Sequence, residues 1–401
     1  MGGPAGGSMV AAIGGFRFSA VSAGIRKDGR IDVALAAAER PVVAAGLFTR
    51  NLVRAAPVLL AEQRLAGGSA RAILVNAGCA NACTGEAGLA AARESTEAVA
   101  RALGISANEV LPASTGVIGA LLPAAKIAAK ASELAAALTP EGYESFAQAI
   151  CTTDRWPKIA EASVDGAGGT ARILGIAKGA GMIHPDVGPP QATMLVFLFT
   201  DAVIERAELE RALFAASDRT FNACSVDGDT STNDTVLAFS SGVSAARVDS
   251  AAFTAALTTV CDKLARSMVA DGEGASHVAE LRVRGLASVK DARQIAHTVA
   301  TSLLVKTALF GRDANWGRLL AAAGRAGVAF EPERASIAIG GIEIFKSGVP
   351  VGAEAEKRAN EILQGPSYTI ELTLGTGPGE FTYLTSDLGH GYVDVNAGYR
   401  S

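Results

Sequence analysis

Thr193 stands where the chain changes character and is the first candidate for chemistry. Residues 184–192, HPDVGPPQA, are rich in proline and glycine, and residues 194–199, MLVFLF, are uniformly apolar. The first run favours an irregular arm, and the second predicts a fully buried strand. In the simplest interpretation, Thr193 is only the β-favouring first residue of that strand.

The alternative is that Thr193 is a nucleophile. A threonine hydroxyl needs a base, and a threonine at a chain terminus can use its own α-amine. That amine has a reference pKa of about 7.7–8.0, whereas a lysine amine, near 10.4, is charged at neutral pH. Such a threonine requires self-cleavage of the Ala192–Thr193 bond, by attack of Oγ on the preceding carbonyl and hydrolysis of the ester.

Three other segments carry polar groups in glycine-containing sequence. Residues 112–119, PASTGVIG, predict a turn whose N–H groups could converge as an oxyanion hole, or else an ordinary loop. Residues 225–235, SVDGDTSTNDT, begin like a calcium loop but lack its central Gly and terminal Glu, which favours an ordered, hydrogen-bonded loop. In DGEGASH (271–277), Glu273 lies between glycines on exposed backbone. Its carboxylate could bind a cationic group of a substrate, or the segment could be a plain turn.

Composition excludes several classes of function. The 401 residues are 49% hydrophobic and 19% charged, and the net charge is −4. The sequence has no run of basic residues interleaved with aromatic residues, so it does not indicate nucleic acid as a partner. Five cysteines and four histidines show no metal-site spacing, so we expect no metal and small, buried cysteines in a reducing cytoplasm. No apolar stretch approaches the roughly 18 residues of a membrane span, and residues 1–8 are interpreted as a flexible leader.

The order of elements predicts an α/β protein, layered α/β or α+β, whose two halves meet near residue 192. The strands expected from apolar patterning are 71–78, 194–199, 335–345 and 368–374. The helices expected from Ala-rich or periodic tracts are 87–103, 124–138, 205–216, 250–270 and 290–304.

Together, the motifs resemble one family. From residue 14 to the last residue, the chain is similar to the ornithine acetyltransferases of arginine biosynthesis, also called glutamate N-acetyltransferases. The segments that carry this resemblance are GGFRFSAVSAGIRKDGRID, STGVIG, CTTDRWPK, KGAGMIHP…ATML, FNACSVDGDTSTNDT, DGEG, VKTALFGRDANWGR and YVDVNAGYRS.

The resemblance implies an ornithine acetyltransferase-like fold of two intimately packed halves. Self-cleavage would give an α chain, 1–192, and a β chain, 193–401, which remain together as a heterotetramer. It also implies a reaction: Thr193 takes the acetyl group of N2-acetyl-L-ornithine and passes it to L-glutamate. No cofactor is implied, although some members also accept acetyl-CoA as the acetyl donor.

The family pattern also assigns site residues. Thr115 and Gly116 correspond to the oxyanion hole. The substrate contacts it implies are Thr152, Lys178, Thr193, Glu273, Asn396 and Ser401.

Some positions depart from the family pattern. Residues 188–191, GPPQ, are an insertion before the cleavage site, Arg155 replaces a usual Thr, and Ser276–His277 replaces Thr–Lys. Two alternatives therefore stay open. The chain could be a self-processing amidase or aminopeptidase with an N-terminal Thr, or an unprocessed, inactive homologue.

Overall fold

The structure is a computed structural model that describes residues 12–184, 187–188 and 194–398. Within these ranges the strands are β1 (Phe16–Val21), β2 (Val33–Thr49), β3 (Ser69–Cys79), β4 (Val110–Val117), β5 (Lys158–Gly166), β6 (Gly169–Lys178), β7 (Val187–Gly188), β8 (Leu195–Thr200), β9 (Cys224–Ser225), β10 (Thr235–Ser240), β11 (Val278–Gly285), β12 (Ser336–Ile339), β13 (Ile342–Lys346), β14 (Val349–Pro350), β15 (Ser367–Thr373) and β16 (Gly377–Ser386).

The α-helices of the same ranges lie between these strands or after the last one. They are α1 (Ala56–Leu65), α2 (Gly85–Leu103), α3 (Ala124–Ala136), α4 (Tyr143–Ala149), α5 (Arg206–Arg219), α6 (Ser250–Ala270), α7 (Val289–Ala300), α8 (Leu303–Phe310), α9 (Trp316–Gly324), α10 (Ala353–Ile362) and α11 (His390–Gly398).

The larger sheet contains strands from both sides of residue 192. Its order is β4-β3-β2-β10-β8-β6-β5, and β1 and β7 both pair with the long strand β2. Strand β8 lies between β6, to which it is antiparallel, and β10, to which it is parallel. The two halves expected from the sequence therefore share one sheet.

Strand β8 is fully buried, as its apolar run predicts. Val196 and Leu198 pack into a core with α5 and α6, whereas Phe197 and Phe199 face the opposite core with α4 and β1. A strand covered on both faces has no solvent side, so its sequence shows no polar alternation.

The smaller sheet has the order β14-β13-β12-β15-β11-β16-β9 and packs against α7, α9 and α10. Strand β9 belongs to this sheet and β10 to the larger one, so the loop 226–234 crosses from one sheet to the other. This crossing loop is the polar segment singled out in the sequence.

Three sequence expectations are corrected. The predicted strand 335–345 is a hairpin of β12 and β13, because Gly340 and Gly341 turn with φ of +57° and +81°. The predicted helix 290–304 ends at Ala300, and α8 begins at Leu303. The cysteines are free, but Cys83 is exposed rather than buried.

No helix among the described residues is both long and apolar enough to cross a membrane.

The aromatic core at β1 gives a stability prediction. Phe18 is fully buried and meets Tyr143, Phe146 and Phe199 edge-on. We expect Phe18→Ala to lower the free energy of unfolding by about 3–5 kcal/mol, because the cavity it leaves has rigid walls. Phe214→Ala, at a residue that is 41% exposed, should cost less than about 1 kcal/mol. Denaturant unfolding measures both, and equal losses would contradict the assignment of the core.

Candidate active site

A cavity of about 200 Å³ opens where β4 and β6 end and β8 begins. Strand β8 runs antiparallel to β6, so the end of one lies beside the start of the other. Every candidate site residue that the structure describes lines this cavity: Thr115, Gly116, Thr152, Lys178, Glu273 and Asn396.

The oxyanion-hole candidates lie in β4, not in the turn that the sequence favoured. Thr115 and Gly116 are opposite Ala77 and Gly78 of the parallel strand β3. Gly116 has a φ of +129°, and a Cβ on it would lie 2.4 Å from the carbonyl carbon of Gly78. Because Gly116 has no side chain, the pairing of β4 with β3 continues through it. The prediction of a turn, which rested on the Pro and Gly of this segment, was wrong.

Lys178 joins two of the candidates. Its Nζ donates to Oγ1 of Thr115 (3.2 Å) and to Oγ1 of Thr152 (3.0 Å). Each hydroxyl accepts from the ammonium, so its own proton stays available for an oxygen in the cavity. The three side chains thus form a cationic, proton-donating wall that suits a carboxylate or a carbonyl oxygen.

Asp154 fixes this wall from behind. Its Oδ1 accepts from the Gly179 backbone N–H (2.7 Å) and its Oδ2 from that of Thr152 (3.0 Å). The buried ammonium of Lys158 donates both to Asp154 (2.6 Å) and to Asp271 (2.6 Å). Burial would raise the pKa of Asp154, but the charges of Lys178 and Lys158 outweigh it and hold that pKa below its usual range.

Glu273 also lines the cavity. Its backbone N–H donates to Ala180 O (2.9 Å), and its Oε2 accepts from Nδ2 of Asn396 on α11 (2.9 Å). Gly274 has a φ of +69°, and a Cβ there would lie 2.1 Å from the backbone N of Tyr392. The DGEG turn is therefore half-buried under α11 rather than fully exposed, and its carboxylate faces the cavity.

The loop 226–234 supplies side chains that the sequence analysis did not place in the site. Asp227 accepts from the backbone N–H groups of Met182 (2.6 Å) and Ile183 (2.9 Å). Burial raises its pKa to about 6. Ser231, Asn233 and Asp234 also line the cavity. Their density of carboxylates and hydroxyls was a visible signal, but it was interpreted only as an ordered, hydrogen-bonded loop and not as part of the site.

Asp154 was also missed, although it belongs to the motif that supplied Thr152. The sequence gives no sign that a carboxylate two residues away holds that threonine, because the contact depends on the turn between them.

The remaining predicted positions lie outside the described residues: Ala192, Thr193, Ser401 and the leader 1–8. Met194 is described, is buried, and lines the cavity. In the sequence, Met194 directly follows the predicted cleavage site.

Gly116 in β4 and Gly119 in the turn after β4 offer a matched test. We expect Gly116→Ala to lower the rate of the acetyl transfer implied by the resemblance by about 100-fold or more, since it displaces the oxyanion-hole candidates. Gly119 also has a positive φ (+84°), but a Cβ there meets no atom within 4 Å. Gly119→Ala should therefore cost about 1 kcal/mol of stability and keep the rate. Steady-state kinetics of both variants measure the effect, and a Gly116→Ala enzyme with wild-type kcat would contradict it.

Comparison with known proteins gives a consistent result. Over 391 residues, the chain is 47% identical to the arginine biosynthesis bifunctional protein ArgJ of Nitratidesulfovibrio vulgaris, covering 96% of this chain and 98% of that protein. It is 45% identical over 394 residues to the ArgJ protein of Geobacter sulfurreducens, covering 96% and 99%. A crystal structure of ArgJ from Bacillus halodurans matches at 40% identity and a TM-score of 0.49, covering 51% of this chain and 98% of that one. The ArgJ family profile matches residues 17–401, and the chain belongs to the ArgJ family.

Proposed function

We propose that this protein transfers the acetyl group of N2-acetyl-L-ornithine to L-glutamate through an acetyl ester on Thr193. The products are L-ornithine and N-acetyl-L-glutamate, as in arginine biosynthesis. The observation that carries the proposal is the single cavity at Met194, whose walls hold all six described candidate residues. Membership of the ArgJ family over nearly the whole chain supports the same reaction.

The nucleophile in this proposal is made by self-cleavage of the Ala192–Thr193 bond into chains 1–192 and 193–401. The new α-amine accepts the hydroxyl proton as Oγ attacks the acetyl carbonyl. Thr115 and Gly116 stabilise the oxyanion of the tetrahedral intermediate. Lys178, within 3.2 Å of the Thr115 hydroxyl, adds a positive charge on the same side.

Two groups of opposite charge in the cavity match the two ends of the substrate. The ammonium of Lys178 and the hydroxyl of Thr152 suit the α-carboxylate that N-acetylornithine and glutamate share. The carboxylate of Glu273, held by Asn396 at 2.9 Å, suits the side-chain ammonium of ornithine. Ser401 completes the substrate contacts by the family pattern.

We also propose how the cleaved chains assemble and which second molecule donates an acetyl group. The cleaved chains form a heterotetramer in the cytoplasm, and the transfer needs no cofactor. Acetyl-CoA serves as a second acetyl donor, which the word bifunctional in the names of the relatives supports. The substrates are small molecules.

Self-cleavage is tested by intact mass and a denaturing gel. We expect two fragments, the second beginning at Thr193, because the proposed nucleophile exists only at a new chain start. Thr193→Ala should leave one uncut chain without turnover. Wild-type protein that stays uncut and inactive would support an unprocessed homologue instead.

Transfer is separated from hydrolysis by its acceptor. We expect the cut enzyme to release ornithine continuously from N-acetylornithine only when glutamate is present, because the acetyl ester otherwise accumulates after one turnover. Measuring ornithine against time, with and without glutamate, gives the answer. Continuous release without glutamate would identify an amidase and contradict the transferase.

A further inference from the structure

A second cavity, of about 340 Å³, lies next to the segment that carries Thr152. Cys151 and Asp154 line this second cavity, whereas Thr152, which lies between them in the chain, lines the candidate active-site cavity. The segment 151–154 therefore contributes to both cavities. Arg26 also lines the second cavity, and it belongs to a sequence motif to which the proposed function assigns no role.

Arg26 reaches the peptide unit that joins Cys151 to Thr152. Its Nη1 donates to Cys151 O (2.5 Å), although the two residues are 125 positions apart in the chain. The N–H on the other edge of the same peptide unit, that of Thr152, donates to Oδ2 of Asp154 (3.0 Å). Because a peptide unit is planar, one hydrogen bond on each edge fixes its orientation.

Arg26 is itself held firmly. Its backbone N–H and that of Ile25 donate to Oδ2 of the fully buried Asp32 (2.9 and 2.6 Å). Its Nε and Nη2 donate to the two carboxylate oxygens of Asp28 (3.3 and 3.1 Å). The side chain is only 11% exposed, and its stem passes over Gly78, where a Cβ would lie 2.9 Å from Cγ of Arg26. An arginine held at its backbone and at its guanidinium is a preorganised donor, so it can fix the carbonyl that accepts from it.

The position of the Thr152 hydroxyl depends on this peptide unit. Lys178 donates to Oγ1 of Thr152 (3.0 Å), so the hydroxyl keeps its own proton for an oxygen in the active-site cavity. A threonine side chain has few allowed χ1 rotamers, so its hydroxyl follows the orientation of its backbone. A shift of the peptide unit before Thr152 would therefore move the hydroxyl away from a bound ligand.

We propose that Arg26 is a positioning residue for Thr152. Through the carbonyl of Cys151, it fixes the peptide unit that places the Thr152 hydroxyl where the α-carboxylate of both substrates binds. The inference rests on the proposed transfer reaction, in which Thr152 contacts that carboxylate. Of the two cavities, Arg26 lines only the second, so it acts through Thr152 and is not a catalytic residue.

The test uses the full-length chain with Arg26→Ala and measures KM and kcat of the cut enzyme for both substrates. N-acetylornithine and glutamate share the α-carboxylate, so we expect both KM values to rise by about 10-fold or more, as for a lost hydrogen bond to a charged group. A contact made equally in the ground state and in the transition state changes KM and leaves kcat near its wild-type value. A residue that only stabilised the fold would instead lower the active fraction, and with it kcat, at unchanged KM.

Free guanidinium at millimolar concentration gives a second readout. The cavity beside Arg26 has a volume of about 340 Å³, and Arg26→Ala adds the space of the missing group. The free ion carries the same planar set of N–H donors, so we expect it to lower both raised KM values toward those of the wild type. Raised KM values that do not respond to guanidinium would overturn the proposal.

Arg30→Ala is the matched control. Arg30 lines the same cavity, and its Nε donates to the same Asp28 carboxylate (2.8 Å), not to the Cys151 carbonyl. We therefore expect this variant to keep both KM values with or without guanidinium. Equal rises of KM in the two variants would mean that the charge of the cavity, and not the contact with Cys151, is responsible, which would contradict the role of Arg26.

Arg26→Met, which keeps an apolar stem over Gly78 and removes the donors, replaces Arg26→Ala if that variant does not fold. If neither variant folds while Arg30→Ala does, or if the folded variants stay uncut, Arg26 does not act on substrate binding through Thr152 and the proposal is wrong. The two proposals fail separately. A wild-type chain that is uncut or transfers no acetyl group contradicts the proposed function, whereas an active wild type whose KM values are unchanged by Arg26→Ala contradicts only the role of Arg26.

Discussion

The buried carboxylate of Asp154 is the contact on which the site depends. Its Oδ1 accepts from the Lys158 ammonium and the Gly179 backbone N–H, and its Oδ2 accepts from the Thr152 backbone N–H. Since Gly179 follows Lys178, one side chain fixes both parts of the cationic wall. Removing one member of a buried ion pair leaves the other unpaired, at a cost of about 3–5 kcal/mol. Because breaking the contacts of Asp154 is so unfavourable, the wall that they hold is rigid. A rigid wall lowers the reorganisation that binding and reaction would otherwise require.

The second constraint is the crossing from the smaller sheet to the larger one. Strand β9 pairs with β16, and β10 pairs with β8, so residues 226–234 must span the gap between the sheets. Asp227 anchors this loop to Met182 and Ile183, and Asn233 donates to Ala80 O and Ser114 O. Polar side chains are retained here because they satisfy the backbone of neighbouring segments. The same loop brings Asp234 beside the start of β8, where the proposed chemistry occurs.

Two of the residues that depart from the family pattern, Arg155 and His277, have partners in the structure. Arg155 pairs with Asp271 at 2.8 Å, and His277 is 3.0 Å from Asp387 through Nδ1. Each of these contacts joins two segments that are more than 100 residues apart in the chain.

The amino-acid sequence by itself determined the class of fold, the helices α2, α3, α5 and α6, and the family. Long helices such as α2 and α6, and the apolar run of β8, are set by local periodicity and propensity, which a sequence displays directly. Glycine-based signals were less reliable: Gly340–Gly341 split a predicted strand, whereas Gly116 lies within one, because the outcome depends on which backbone lies opposite. Only the tertiary structure decided that Asp227 and Asp234 line the cavity and that Asp154 supports its wall from behind. Their roles come from burial and from partners distant along the chain, and neither property is encoded in the spacing of residues.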